Sequence, residues 1–490
     1  MLRLPEMSPV QYDVVSMAGG FDQVTSAYNL NPGALRDCLN FACRTNGGYY
    51  RIPGYERFDG QPQPSDATFL PIDVTLLDTP TLAVGMSGMF GNIPGTVSFI
   101  DPFGKYAAVT KTSSVFTTTL IPGPIVIGAV TYGTANSYYS GVTIKGIALN
   151  MAAAANIYRA DIGPVPGSGP VRGVVFYKDN AYAFRDNVGA TACAIYKSSA
   201  AGWVNVPLGK TLIFSAMAVL PAEGAVLTQG AVTATIKRVA ITSGGLAGGT
   251  AAGYFVITSL AGGSFVDGLA TYTGGSVTLD GPETQITLAP GGTYSLSIGN
   301  FSGIDRIYGA DGVNDAFEFD GETYTPIPYA ATIKPKYVRA HSNHLFLGIE
   351  GSLVHSGIGQ QFNFEVVSGA GEIAVGAVIT DLLVLPGNQG SATLGVFGRN
   401  STWILYGSSA ADWRLVSFNM GIGAWDRTAQ NLFDAFALDD RGVTMMKQSL
   451  NYGNFDAGTL THNIRPFINS QRGLATCSAL NRENSQYRVF

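Results

Sequence analysis

The chain has 490 residues and a formal net charge of −5, and only 13% of its residues are charged, against about 25% in an average soluble protein. Glycine (62) and proline (24) are abundant, while 46% of the residues are hydrophobic. This balance excludes helical bundles, coiled coils and basic nucleic-acid binders, and it carries too much apolar surface for a disordered chain. A turn-rich β protein with a neutral surface rich in Gly, Ser and Thr remains, with the length of about three domains.

The four cysteines, Cys38, Cys43, Cys193 and Cys477, are too few for a disulfide scaffold. They point to a reduced protein assembled in a cytosol, although Cys38 and Cys43 are near enough in sequence to pair. The opening MLRLPEMSPV places Pro5 and Glu6 where the apolar core of an export signal would lie. The uncharged run Thr112 to Ile144 is interrupted by Pro122, Gly123 and Pro124. It does not read as a membrane helix, so no membrane anchor is expected.

Residues 1–60 read as an extended N-terminal arm. Its segment from 14 onward has turn signals at Gly19-Gly20, Asn31-Pro32-Gly33, Asn46-Gly47-Gly48 and Pro53-Gly54. Short apolar stretches between the turns have no local partner. The expectation is that part of the arm adds a strand to a sheet elsewhere and closes it. Residues 61–170 read as a low-charge β region holding first blades and an insertion. Strand-like pieces lie at Thr81–Met86 and Pro124–Val130, and the alanines of Ile147–Tyr158 favour a short helix.

From residue 171 short hairpins follow one another. Their expected turns are Asp179-Asn180, the Ser/Ala/Gly loop before Trp203, Asp320-Gly321, Glu350-Gly351, Arg399-Asn400 and Asp439 to Gly442. Most join two apolar or aromatic strands through a tight Asp, Asn or Gly turn. The predicted fold is all-β: a β-propeller-like array of antiparallel hairpins with blades in 171–218 and 301–490. Residues 219–300 hold only six charged residues and few aromatics, and they read as a small β-domain inserted in a propeller loop. The final NSQYRVF reads as the first strand of a hairpin, to be completed by another segment.

Candidate chemistry is sparse. His341 and His344 with His355 could offer a metal three imidazoles, but RAHSNHLFLG reads as a turn entering a strand, with solvated or hydrogen-bonded rings. Asp311, Asp315, Asp320, Asp439 and Asp440 occupy turn positions, where such side chains bond their own backbone. Asp311, Asn314, Asp315 and Glu318 miss the spacing of a calcium loop. Trp203, Trp403, Trp413 and Trp425 stand in dissimilar contexts, as core residues do. No phosphate-binding glycine loop or nucleophile elbow is present. No catalytic, metal-binding or cofactor-binding residue is therefore assigned, no cofactor is expected, and the reading is of a protein that is not an enzyme.

Two stretches resemble a known family. The arm has Gly19-Gly20-Phe21, Pro32-Gly33, Leu35 to Phe41 and Arg51 to Tyr55. The late blades have Tyr406 to Ser409, Gly421 to Ala424, Arg427-Thr428 and Leu438 to Val443. Together these are similar to the tail nozzle proteins, also called tail tubular or hub proteins, of short-tailed bacteriophages. The resemblance implies a virion structural protein of the tail, assembled in the host bacterial cytoplasm. It implies a ring of copies, hexameric in the family, that contacts a tail adaptor or portal-proximal protein and tail fibre or plug proteins. Genomic DNA would pass through the ring without sequence-specific binding. A weakly acidic chain without a basic stripe suits such a conduit, since each phosphate contact would add drag. The alternative is a β-propeller carbohydrate- or receptor-binding protein, which would use open tryptophan rings.

Overall fold

The computed structural model describes residues 19–43, 48–52, 54–61, 72–76, 84–90, 93–100, 106–111, 125–127, 130–132, 139–143, 159–160, 162–301, 303–329, 332–385, 393–448 and 455–490. The chain forms two units. One comprises Met1–Gly54, Gly167–Lys197 and Asn205–Phe490, and the other Tyr55–Pro166 with Ser198–Val204.

The first unit is built on five four-stranded antiparallel sheets, each with its strands in chain order. The first blade is Ser168–Tyr177, Asn180–Asp186, Cys193–Ser199 and Gly202–Asn205, of which the stretch Ser198–Val204 is counted with the second unit. The second is Ser295–Phe301, Ile304–Ala310, Ala316–Phe319 and Tyr324–Ile327. The third is Tyr337–His341, His344–Ile349, Ser352–His355 and Gly371–Ala374. The fourth is Ile379–Val384, Leu394–Gly398, Thr402–Tyr406 and Arg414–Asn419, and the fifth Gln430–Asn431, Ala435–Asp439, Gly442–Gln448 and Phe455–Thr459. The opening strands of neighbouring blades contact one another in series, so the array is a five-bladed β-propeller. Middle strands such as His344–Ile349 and Leu394–Gly398 are buried along their whole length. Each is covered on both faces by adjoining blades, and this explains their continuous apolar runs.

The hairpin turns follow from residue chemistry. Ser342 and Asn343 both have positive φ, 46° and 59°, joining His341 directly opposite His344. That is the two-residue turn whose twist matches paired strands. The first-blade turn lies at Lys178 and Asp179, φ 47° and 62°, one residue before the expected Asp179-Asn180. Asn180 is already paired with Tyr177. The other turns fall within the loops expected for them.

A closed six-stranded barrel joins the first blade to the second. Its strands are Lys210–Met217, Val226–Gln229, Val232–Ser243, Ala251–Ala261, Gly268–Tyr272 and Gly275–Gln285. Lys210 pairs with Gln285, and Ile286 N donates to Gly209 O at 3.1 Å. Phe214 and Phe255 stack at 4.4 Å inside it, with Leu212, Ile236 and Leu279 around them. The sequence reading placed this insertion at 219–300. Lys210–Met217 looks like a blade strand, yet it closes the barrel by pairing with both Ala251–Ala261 and Gly275–Gln285. Ser295–Phe301 opens the second blade instead.

The C-terminal strand also differs from expectation. Gln486–Val489 is the second strand of a hairpin, paired with Ser478–Asn481 through a polar turn. This hairpin follows the fifth blade in the series: Ser478 N donates to Arg427 O at 3.1 Å and Gln430 Nε2 to Ser478 O at 3.1 Å. Tyr487 stacks on Phe436 at 6.1 Å and donates its hydroxyl to Thr428 O at 2.7 Å.

The arm bonds mainly to itself. Phe41–Cys43 pairs with Tyr49–Arg51, and Leu35 N donates to Gly20 O at 2.8 Å. Tyr49 gathers the Gly20 and Gly33 carbonyls at 2.7 and 2.8 Å. A Cβ on Gly19 would lie 2.3 Å from Ala34 N, so only glycine permits this approach. Outside itself the arm meets the short helix Arg465–Gln471, where Phe21 packs edge-on to Phe467 at 6.3 Å and Gln23 N donates to Asn463 O. Among the described residues no arm strand joins a blade, because the turns at Gly20 and Gly33 let the arm pair locally.

The second unit carries a seven-stranded antiparallel sheet in place of the blades expected in 61–170. Its spatial order is Val130–Tyr132, Ile125–Ile127, Ser87–Phe90, Ile93–Ile100, Tyr106–Lys111, Ile72–Leu76 and Tyr139–Thr143. Val84 to Met86 precede a strand rather than form one. The helix expected at Ile147–Tyr158 lies outside the described residues.

Candidate functional site at the blade axis

The opening strands of the blades converge on a cavity of about 720 Å³. Arg172 comes from the first blade, Leu296 from the second, Arg339 from the third, Asp381 from the fourth and Gln430 from the fifth, with Arg427 just before it. The C-terminal hairpin supplies Cys477, Ser478 and Ala479, and Phe490 joins them.

The charges are held mainly by backbone. Arg172 pairs with Asp186, Nη2 to Oδ2 2.7 Å. Arg339 Nη1 donates to Leu296 O at 3.0 Å and Val338 O at 3.2 Å, while its Nη2 is 3.8 Å from Asp381 Oδ1. Asp381 accepts from Leu382 N at 2.8 Å and Ala429 N at 2.9 Å. Burial lowers the pKa of Arg339, opposed by Asp381; burial raises that of Asp381, opposed first by Arg339. Arg427 has φ 57°. It donates Nη2 to Thr293 O at 2.6 Å and lies over the Tyr337 ring at 5.3 Å. Its Nε is buried and has no acceptor among the described residues.

The sequence reading did not assign this cavity. The available signal was a charged residue set within the mostly apolar opening strands of the first, third and fourth blades, in PVRGVVFY, YVRAH and ITDLLV. Arg427-Thr428 stands out in the sequence only through the family resemblance.

The three histidines converge elsewhere. His341, His344 and His355 are buried in the third blade. Trp413 lies 4.6 Å from the His344 ring and 4.2 Å from His355, and Phe346 fills the space beside it. His344 Nδ1 meets Ser356 O at 2.6 Å, and His341 Nε2 meets Ser342 Oγ at 3.2 Å. Burial pushes the His341 pKa down to about 4 and also lowers that of His355. The rings are therefore buried rather than solvated. Among the described residues no group of three His, Cys, Asp or Glu is arranged to hold a metal ion.

The aspartates divide into two kinds. Asp311, Asp320 and Asp439 accept from backbone N–H groups two and three residues onward. Asp315 pairs with Lys334 at 2.5 Å and Asp440 with Arg399 at 2.6 Å. Glu318 is drawn away from Asp311 and Asn314 into an ion-pair network with Arg238 and Arg306. Trp403 is buried in the core between the third and fourth blades, and Arg399 covers the Trp425 ring at 3.6 Å. Trp203 packs edge-on to Phe58 at 6.5 Å in the second unit. Cys38, Cys193 and Cys477 are free thiols.

No family model and no curated protein matches the chain. Among solved structures it is similar to AztD from Citrobacter koseri, at 10% identity and a TM-score of 0.29, over 81% of this chain and 96% of that one. It is similar to YCF48 bound to D1 peptide, at 10% identity and TM-score 0.24, over 57% and 98% of the two chains. The designed Ika8 protein matches at 9% identity and TM-score 0.26, over 66% and 98%. Likeness of that size carries no argument, and the propeller rests on the chain's own sheets.

Proposed function

We propose that this chain is a structural subunit of a short-tailed phage tail, a ring-forming nozzle protein without catalytic activity. One observation carries the reading: several of the segments that resemble the nozzle family serve as structural joints. Gly19-Gly20-Phe21 and Pro32-Gly33 shape the arm and seat it against Phe467. Arg427-Thr428 links the fifth blade to the C-terminal hairpin through the Arg427 and Thr428 carbonyls. Asp439, within the segment Leu438 to Val443, fixes its own turn through the Arg441 and Gly442 amides. In such a ring the DNA path is the lumen between subunits. The cavity at the opening strands, lined by Arg339 and Asp381, has at about 720 Å³ the volume of a small-molecule site.

The carbohydrate- or receptor-binding alternative gains no support from the tryptophans. Trp403 is buried, Trp413 packs on His344 and His355, and Trp425 lies under Arg399. Light scattering and negative-stain microscopy of purified protein test the proposal. Rings, or incorporation into tails with an adaptor protein, are the expected result. A protein that stays monomeric at every concentration and is absent from virions overturns it.

A further inference from the structure

We propose that the axial cavity is a binding site for a small organic carboxylate. The starting point is a charge imbalance. Among the described residues the lining holds four charged side chains, those of Arg172, Arg339, Arg427 and Asp381. Arg172 is neutralised by Asp186, which stands behind it. Within the lining Arg339 has Asp381, whose two oxygens already accept from Leu382 N and Ala429 N. The Asp381 oxygen nearest Arg339 is 3.8 Å away, beyond hydrogen-bond distance. Asp426 is 3.9 Å from Arg427 Nη1 and is engaged at 2.5 Å by Lys336.

Two guanidinium groups thus hydrogen-bond carbonyls, and their nearest carboxylates, Asp381 at 3.8 Å from Arg339 and Asp426 at 3.9 Å from Arg427, both stand beyond hydrogen-bond distance and are engaged elsewhere. The side chain of Arg427 is nine-tenths buried, and its Nε has no acceptor among the described residues. A buried donor without a partner is costly, and a buried charge without full compensation more so. A ligand carboxylate would supply both the counter-charge and the planar acceptor pair that a guanidinium fork matches.

The walls select the class of anion. Val171, Val174, Leu296, Ala479 and Phe490 give the cavity apolar surface beside the charges. A carboxylate with a carbon body gains from that surface, whereas a compact hydrated phosphate must give up water without contact in return. The hydroxyls of Thr293, Ser295 and Ser478 lie in the same lining and can orient a second polar end.

Calorimetric titration of the full chain with malonate, citrate and inorganic phosphate tests this. Malonate or citrate is expected to give saturable binding that weakens by about tenfold or more in Arg427→Met, with partial retention in Arg427→Lys. Cys477, exposed and in the cavity lining, gives a second readout in the unaltered protein. Saturating malonate or citrate should slow its alkylation. This assay holds even if Arg427→Met fails to fold. Phosphate binding tighter than both carboxylates overturns the ligand class. No saturable heat and no protection of Cys477, or equal affinity in folded Arg427→Met, overturns the site. Ring assembly by the same protein is unaffected by any of these outcomes, so this test and that of the nozzle reading fail separately.

Discussion

Arg238, on the inserted barrel, reaches Glu318 in the middle of the second blade, with Nε 2.6 Å from Oε1 and Nη2 3.2 Å from Oε2. The contact is bidentate, and the Glu318 side chain is only 1% exposed. Arg306 adds a contact at 3.5 Å, while the Tyr308 hydroxyl and Gln361 Nε2 donate to Oε2 at 2.8 and 2.9 Å. Breaking such a buried network by removing one partner strands the others. Glu318→Ala should therefore destabilise the protein by about 3 kcal/mol or more. Arg238→Met should cost less, because Glu318 keeps Arg306, Tyr308 and Gln361. Urea unfolding of both variants and their double mutant measures the coupling; additive effects would show that the pair does not join barrel and blade energetically.

Acid should weaken the third blade before it affects most carboxylates. His341 has a folded pKa of about 4 against an ordinary 6.5, because burial and nearby His344 disfavour its charged form. Between those values the unfolded chain binds the extra proton. Stability is therefore full above about pH 6.5 and falls as pH drops toward 4, by up to about 3 kcal/mol from this residue. His355, lowered in the same direction, adds to the loss. Urea midpoints at several pH values in this window should fall with pH, and His341→Gln should flatten the profile. An unchanged slope in that variant would remove His341 as the cause.

Alkylation should distinguish the thiols. Burial pushes the Cys193 thiol up to about 11, and the Tyr294 hydroxyl lies 3.3 Å from its sulfur. Cys193 should resist iodoacetamide at mildly alkaline pH until the protein unfolds, whereas exposed Cys477 should react in the native state. Peptide mass spectrometry reads both sites. Equal native labelling would mean that the first blade opens readily.

Tyr487 anchors the C-terminal hairpin with its ring on Phe436 and its hydroxyl on Thr428 O. Tyr487→Phe should cost about 1 kcal/mol for the lost hydrogen bond. Tyr487→Ala should cost about 3 kcal/mol and loosen the hairpin. Hydrogen exchange at Ser478, whose N–H bonds to Arg427 O, should quicken in the alanine variant. No change there would separate the ring from the docking of the hairpin.

The blade series was legible because its signals are local. Asp320-Gly321, Glu350-Gly351 and Arg399-Asn400 sit between short apolar strands, and turn chemistry fixes the pairing of immediate neighbours. Lys210–Met217 was harder, since its partners lie as far away as Gln285 and neither leaves a local mark. Gln486–Val489 was missed for another reason: its partner Ser478–Asn481 is adjacent in the chain, but the polar turn at Arg482–Ser485 gives weaker punctuation than glycine. The histidines could be picked out, but not their burial, because Trp413 comes from the next blade. The axial cavity was least visible: Arg172, Arg339 and Arg427 stand far apart in the chain and meet only after the blades have been arranged.

The adjacent ends of the barrel, Gly209 and Ile286, have a consequence for how this protein can change. The propeller's path resumes almost where it was interrupted, so the intervening segment behaves as a cassette. Lengthening such a segment adds little to the entropy of closing the loop, and replacing it with a tight connection need not redirect the flanking blades. A cassette exchanged in this way gives up the bidentate Arg238 contact and leaves Glu318 to Arg306, Tyr308 and Gln361 of the blades. The propeller can therefore accept new modules at one port while the rest of its blades keep their order.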